Sequence, residues 1–373
     1  MADRRVSIVW FRDDLRLADN PALAAAAEEG AVVPVYIWSP EEEGEWAPGS
    51  ASRVWLHQSL NSLNDALGGL GSRLIVRNGS SLDVLESLIK DTGATDVHWN
   101  RRYTPASVER DKRIKTALTD AGVRVQSHNS ALLFEPWEIS TKQDEPYRVF
   151  TPFWKACMAQ LKPREPIAAP TEFGAPNDWP RTDSIDDLDL LPSIKWDEGI
   201  REFWTPGESG ATERLKDFLD DSVLDYAQKR DEPSVDGTSL MSPYLHFGEI
   251  SPRTIWHETR RAHPRAKGAE SLLRELGWRE FAHHILFHFP HTESEPMRPE
   301  FAEFPWEKDD GALRAWQRGR TGYPIVDAGM RQLWAIGWMH NRVRMIVASF
   351  LVKGLRIHWL EGARWFWDTL VDA

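Results

Sequence analysis

Two short segments carry the residue types that chemistry on a flat, charged ligand would need. In "SLLRELGWREFAHHILFHF" (271–289), Glu275, Trp278 and Arg279 are spaced i, i+3, i+4 and share one face of a helix. In "GWMHNRVRM" (337–345), Asn341, Arg342 and Met345 occupy adjacent helical positions away from an apolar stripe. Each set offers a planar hydrogen-bonding group, a cation and a large soft surface. Such groups stack on a heteroaromatic ring, bond its edge and neutralise a phosphate. Two solvated faces with surface arginine give the same pattern, and periodicity does not choose between them. A third stretch, "DGTSLMSPY" (236–244), gathers a turn, hydroxyls and backbone N–H groups. It suits a phosphate, and equally a capped helix start.

Other chemistries find weaker support. His284 and His288 are i, i+4 on a helix, yet no Glu follows the first His in the metalloprotease pattern, and packing beside aromatics explains them better than a metal. Cys157 is the only cysteine, which excludes a disulfide framework and a thiolate zinc site. "GGLGSR" (68–73) precedes a strand instead of following one and reads as a turn; there is no Walker A sequence. No nucleophile–base–acid arrangement stands out.

The elements that must hold these residues fall into two regions, as the length of 373 residues suggests. Up to about residue 130, short apolar strands at 6–11, 32–38, 73–77, 96–100 and 123–127 alternate with helical stretches around 21–29 and 51–67. That alternation predicts a doubly wound α/β domain with about five parallel strands. Ligands of such sheets bind at the carboxyl ends of the strands. Residues 131–200, rich in Pro, Asp and Trp, read as a long connector. From about 201 to 373 the pattern is helical, with Val343, Ile346, Val347, Phe350 and Leu351 as a core stripe, so the second domain is expected to be all-α.

Composition narrows the function. Hydrophobic residues make up 41% and charged residues 27%, a globular balance. No apolar run approaches the ~20 residues of a membrane span, and the opening "MADRRVSIVWF" lacks a signal-peptide layout, so a cytoplasmic monomer is expected. The net charge of -12 argues against non-specific nucleic-acid binding, but the charge is segregated: residues 331–364 hold six Lys or Arg and one acid. Nineteen tryptophans are an unusual count; most are expected to fill cores and the seams between helices, and an indole is also a stacking surface and an oxidisable group.

Several long stretches, in order, resemble the photolyase/cryptochrome family of flavoproteins: "VSIVWFRDDLRLADNPAL", "DYAQKRDEPSVDGTSLMSPYLHFGEISPR", "LGWREF", "AWQRGRTGYPIVDAGMRQLWAIGWMHNRVRMIVASFLVK" and "RWFWDTLVDA". Asn341 within "WMHNRVRM" looks like the class I cyclobutane pyrimidine dimer photolyases. The resemblance implies an α/β antenna domain and a helical domain holding FAD, with DNA containing pyrimidine dimers as partner. Tyr226 and the loop Thr238, Ser239, Leu240, Met241 and Ser242 would contact the flavin's phosphates and ribityl chain. Trp278 and Arg279 would line the cavity between flavin and DNA. Arg230, Asn341 and Arg342 would meet the DNA; Glu275, Trp278 and Met345 would touch the damaged bases. Arg344 would pair with Asp372 beside the flavin, and Trp306 and Trp359 would be the outer and middle members of an electron-transfer chain. A second antenna chromophore of folate or deazaflavin type is expected, and no metal. In the implied reaction, reduced FAD absorbs blue light and lends one electron to the dimer, whose ring then opens. The family pattern continues past Ala373, so the resemblance also implies an FAD domain incomplete at its C-terminus. Within the same family, a blue-light photosensor or a flavin- and DNA-binding module without repair activity are the alternatives.

Overall fold

The computed structural model describes residues 5–160 and 163–373. Five strands, β1 (Arg5–Phe11), β2 (Gly30–Trp38), β3 (Ile75–Asn78), β4 (Asp96–Asn100) and β5 (Arg124–His128), form one sheet in the order β3-β2-β1-β4-β5, all pairs parallel. Helices α1 (Pro21–Glu29), α2 (Ser50–Gly69), α3 (Ser81–Thr92) and α4 (Pro105–Asp120) connect them. The inner strands read as continuous apolar runs because helices cover both faces; the last five residues of β1 are all buried. Asn20 starts α1 by accepting a hydrogen bond from Leu23 N at 3.1 Å. The strand order reverses between β1 and β4. The crevice at their carboxyl ends, around Arg12–Asp14 and Asn100–Arg102, is the switch point of the sheet.

The remainder of the chain is helical: α5 (Phe150–Gln160), α6 (Glu198–Phe203), α7 (Glu208–Asp217), α8 (Tyr226–Lys229), α9 (Ser242–His246), α10 (Pro252–Ala262), α11 (Lys267–His288), α12 (Asp310–Gln317), α13 (Pro324–Ile336), α14 (Asn341–Ser349) and α15 (Trp359–Thr369). One core runs without a break from the sheet into this region. Trp55 of α2 stacks on Phe247 at 5.7 Å and meets Tyr244 of α9 edge-on. Just past α9, Gly248 has φ +64°, and a Cβ there would lie 2.0 Å from the Asp13 carbonyl oxygen. Only glycine lets this turn approach the end of β1 so closely. A second core, with Trp316, Met330, Val343, Val347 and Leu351, holds α12, α13 and α14 together.

Two readings of the pattern change. Residues 150–160, placed in the connector, form α5, whose Phe150, Phe153 and Cys157 pack against α11 through Phe281. Ile346, placed in the core stripe, is 40% exposed while Val343 and Val347 are buried. The buried face of α14 follows Val343, Val347 and Leu351 at i, i+4, i+8, and Ile346 stands at its edge. No helix among the described residues is long and apolar enough to cross a membrane.

Candidate flavin and DNA site

A cavity of about 540 Å³ lies between the carboxyl ends of β1 and β4 and the helical region. Its helical wall begins with the 238–242 loop. Arg214 of α7 fixes that loop by donating to the Ser239 and Thr238 carbonyls, at 3.0 and 3.4 Å. Leu240 takes a left-handed conformation (φ +55°) and is buried. The backbone thus doubles back, and Thr238, Ser239, Leu240, Met241 and Ser242 all line the cavity together with Tyr226. Of the two readings left open for this stretch, the capped helix start fails: α9 has Met241 at its N-cap and no side-chain cap.

Helices α11 and α14 supply the opposite wall. Glu275 lines the cavity and forms an ion pair with Arg230, which also lines it. Its carboxylate therefore meets a donor in the free protein, whereas contact with a pyrimidine carbonyl would ask it to donate. Arg279 lines the cavity and donates to the Ala131 carbonyl at 2.6 Å. Trp278, from the same face, is placed differently. Its ring stacks on Phe150 of α5 at 3.6 Å, remains 46% exposed, and is not part of the lining.

On α14, His340 is the N-cap, its Nδ1 accepting from Arg342 N at 3.1 Å. Burial holds the His340 pKa below its ordinary value, which keeps that nitrogen free to accept. Asn341 consequently faces the cavity at the first position of the helix. Arg342 and Met345 stand outside it, Met345 56% exposed. Arg344 turns inward, donating to the Met339 carbonyl at 2.7 Å and to Asp372 Oδ2 at 2.8 Å. The other Asp372 oxygen, Oδ1, is buried and has no partner. Asp372 lines the cavity, and a carboxylate oxygen left without a partner there suits a donor from a ligand. The volume lies in the range of cofactor sites. The lining therefore fits FAD: hydroxyls and loop amides for the phosphates, an acceptor and a cation for the ring system.

Trp306 and Trp359 do not line the cavity. His358 lies between them, 4.9 Å from the Trp306 ring and 5.8 Å from Trp359. That bridging imidazole was not read from the sequence. Also missed were Asp13, Asn100, Arg102, His246 and His283, which line the same cavity from the sheet side and from α9 and α11. For Asp13, Asn100 and Arg102 the signal was the strand-end position at the switch point, which the alternating pattern does predict; nothing in the local pattern marked His246 and His283. Burial, joined by the charge of Arg279, pulls His283 down to about 3, so it faces the cavity as a neutral group.

Charge is arranged otherwise than its local count suggests. Two arginines of 331–364 find acids from elsewhere, Arg342 pairing with Asp231 at 2.8 Å and Arg356 with Glu307, while Arg364 lies between Glu45 and Glu361 of its own helix. The positive charge counted around Arg342 is thus partly offset within the molecule. The two helical histidines are engaged by the backbone, His284 Nε2 by Tyr147 N at 3.1 Å and His288 Nε2 by the Pro136 carbonyl at 3.0 Å, while His284 Nδ1 is buried without a partner. Among the described residues one three-ligand group, Glu29, Asp96 and His98, could surround an ion, and Arg124 already pairs with both its carboxylates. A second, small cavity beside the strand ends, lined by Glu43 and its partners Arg102 and Arg110, holds only about 60 Å³.

Comparison with known proteins agrees with this geometry. The DNA photolyase family model matches residues 7–172, and the model of the FAD-binding domain of DNA photolyase matches residues 272–373. A deoxyribodipyrimidine photo-lyase of Agrobacterium fabrum is 47% identical over 98% of this chain and 77% of its own length. Cryptochrome-2 of Arabidopsis thaliana is 43% identical over 98% of this chain and 62% of its own length. The crystal structure of a bacterial class III photolyase from Agrobacterium tumefaciens superposes with a TM-score of 0.96 at 46% identity, covering all of this chain and 78% of that one. FAD is the cofactor that this fold, cavity and likeness share. The chain belongs to the photolyase/cryptochrome family.

Proposed function

We propose that the chain repairs cyclobutane pyrimidine dimers in DNA by light-driven electron transfer. One observation carries the reading. Glu275, Arg230 and Asn341, suited to a damaged base, converge on the same cavity as the 238–242 loop and the Arg344–Asp372 pair, suited to FAD. The chemistry that reduced FAD supplies when bound is a photoexcited electron, lent to the dimer and returned after ring opening.

The chain's own residues do the rest. Thr238, Ser239, Ser242 and Tyr226 hold the phosphate and ribityl groups, and Leu240 and Met241 exclude water around them. Asp372 accepts from the ring system and Arg344 fixes Asp372. Arg279, tied to Ala131, keeps the floor between cofactor and dimer in place. Glu275 and Asn341 orient the dimer, while Met345 and Trp278 offer exposed apolar surface to the displaced bases. Arg230 and Arg342 take the flanking phosphates. The dimer must leave the duplex, at a cost of about a few kcal/mol that poor stacking of the damage reduces; photolyases are among the enzymes for which such flipping is described. Trp306 and Trp359, with His358 between them, form an electron path inward from the surface. An antenna chromophore of folate or deazaflavin type belongs to the same proposal, at the domain interface and not in the small cavity beside Glu43, where about 60 Å³ leaves no room.

The similarity to a plant cryptochrome supports a second reading, a blue-light photosensor built on the same cavity. The class I reading of Asn341 remains part of the proposal beside the class III likeness. Blue-light irradiation of the FAD-loaded, reduced chain with a thymine-dimer oligonucleotide separates the two. Restored thymines support repair; binding of FAD with light-induced spectral change but no ring opening supports the sensor.

A further inference from the structure

Arg342 does not reach out from α14 as a free cation. Its Nε and Nη2 both meet Asp231 Oδ1, at 2.9 and 2.8 Å, and the same oxygen lies 3.7 Å from Arg230 Nε. Arg230 in turn holds Glu275. A chain of alternating charge, Glu275–Arg230–Asp231–Arg342, thus runs from the cavity onto the surface. Neutral His340, beside both Asp231 and Arg342, and the Tyr226 phenol, whose ring lies 5.6 Å from the Arg230 guanidinium, are the other titratable groups that face it. Asp231 and Arg342 have half-exposed side chains, 47% and 44%. The pair is therefore weak enough to exchange its anion.

We propose that Asp231 is an internal competitor for DNA phosphate, holding Arg342 in the free protein and lowering affinity for undamaged DNA. The inference rests on the DNA-repair reading above. Undamaged DNA offers mainly phosphates, so an internal anion weakens that binding at its principal source. Dimer-containing DNA adds base contacts in the cavity, which keep binding strong although the same exchange is made. In a cell where undamaged sites vastly outnumber damaged ones, lower background binding leaves more protein free to find damage.

The exchange has an ionic signature that a merely structural role lacks. When Arg342 moves to a phosphate, DNA releases a cation, and the uncovered Asp231 takes one up. The contact then contributes little to the salt dependence. With Asn at 231 the release is no longer offset, and the slope of log affinity against log salt steepens by up to about 0.9.

The test compares wild type, Asp231→Asn, Arg342→Ala and the double variant by fluorescence anisotropy, on undamaged and dimer-containing duplexes across a salt series. Asp231→Asn is expected to bind undamaged duplex about 2- to 5-fold more tightly at low salt, the range of an exposed ion pair, with the steeper slope. In the Arg342→Ala background the same change is expected to gain nothing. Unchanged affinity and slope would overturn the proposal. So would an equal gain in the Arg342→Ala background, which would mark a general charge effect. A wild type that binds both duplexes equally overturns the repair reading instead, and the undamaged arm still decides the role of Asp231.

Discussion

Replacing Glu249 with glutamine isolates one titration in the seam that seats the cavity loop. Glu249 is fully buried just past α9, between α2 and the turn before α7. Its Oε1 accepts from Ser59 Oγ at 2.5 Å, Gly207 N at 2.7 Å and Trp55 Nε1 at 3.2 Å, while Oε2 has no partner. Burial outweighs these bonds and raises the pKa from 4.5 to about 8. Between those values the unfolded chain has released the proton and the folded chain has kept it. This contribution to stability is therefore full below the unfolded pKa and declines as pH rises toward the folded one. At about 1.4 kcal/mol per unit, moving from about pH 5 to about pH 8 removes roughly 3–4 kcal/mol. Glutamine keeps the accepting oxygen and cannot ionise, so Glu249→Gln removes the decline. Urea unfolding of both proteins at the two pH values gives the difference of differences, in which other titrating groups cancel. An excess of about 3 kcal/mol for the variant at the higher pH is expected. Parallel pH profiles would refute the reasoning, because they would mean that the carboxyl is hydrated or already ionised in the folded state.

The remaining predictions concern the site and its supports. Arg344→Met leaves the nearly buried Asp372 carboxylate without a partner and should cost about 2–3 kcal/mol, less than a fully buried pair because Arg344 is partly exposed; thermal unfolding and FAD titration should both report it, and an unchanged FAD affinity would remove Arg344–Asp372 from the cofactor site. Val347→Ala should destabilise by about 1–3 kcal/mol, whereas Ile346→Ser should fall within about 0.5 kcal/mol, since only the first residue is buried. Equal losses in urea unfolding would restore Ile346 to the core. Glu275→Ala should lower ring opening per absorbed photon more than dimer binding, because its proposed role lies in the reacting state; equal losses in both quantities would reassign it to recognition alone.

How much of this was legible depends on the range of the interaction. The five strands were read to within two residues or so because helices cover both faces of the sheet and leave uninterrupted apolar runs. Helix α5 was missed because its aromatic residues take their place by packing on Trp278 and Phe281 of α11 and Trp256 of α10, all distant in sequence. Glu275, Arg279 and Asn341 reached the cavity because helical spacing fixes faces, and Trp278 did not because Phe150, far away in sequence, stacks on it. Spacing could not reveal that Arg342 is held by Asp231, 111 residues earlier. Local charge counting failed for the same reason: the partners of Arg342 and Arg356 come from distant parts of the chain.

Light-driven repair is tested most directly by following ring opening itself. The chain is loaded with FAD, reduced, mixed with a thymine-dimer oligonucleotide and exposed to blue light, and the thymine absorbance that the dimer lacks is recorded against a dark control. Recovery of that absorbance in the light alone is the predicted result. Bound FAD and bound dimer with no recovery under illumination would contradict repair as the function of this cavity.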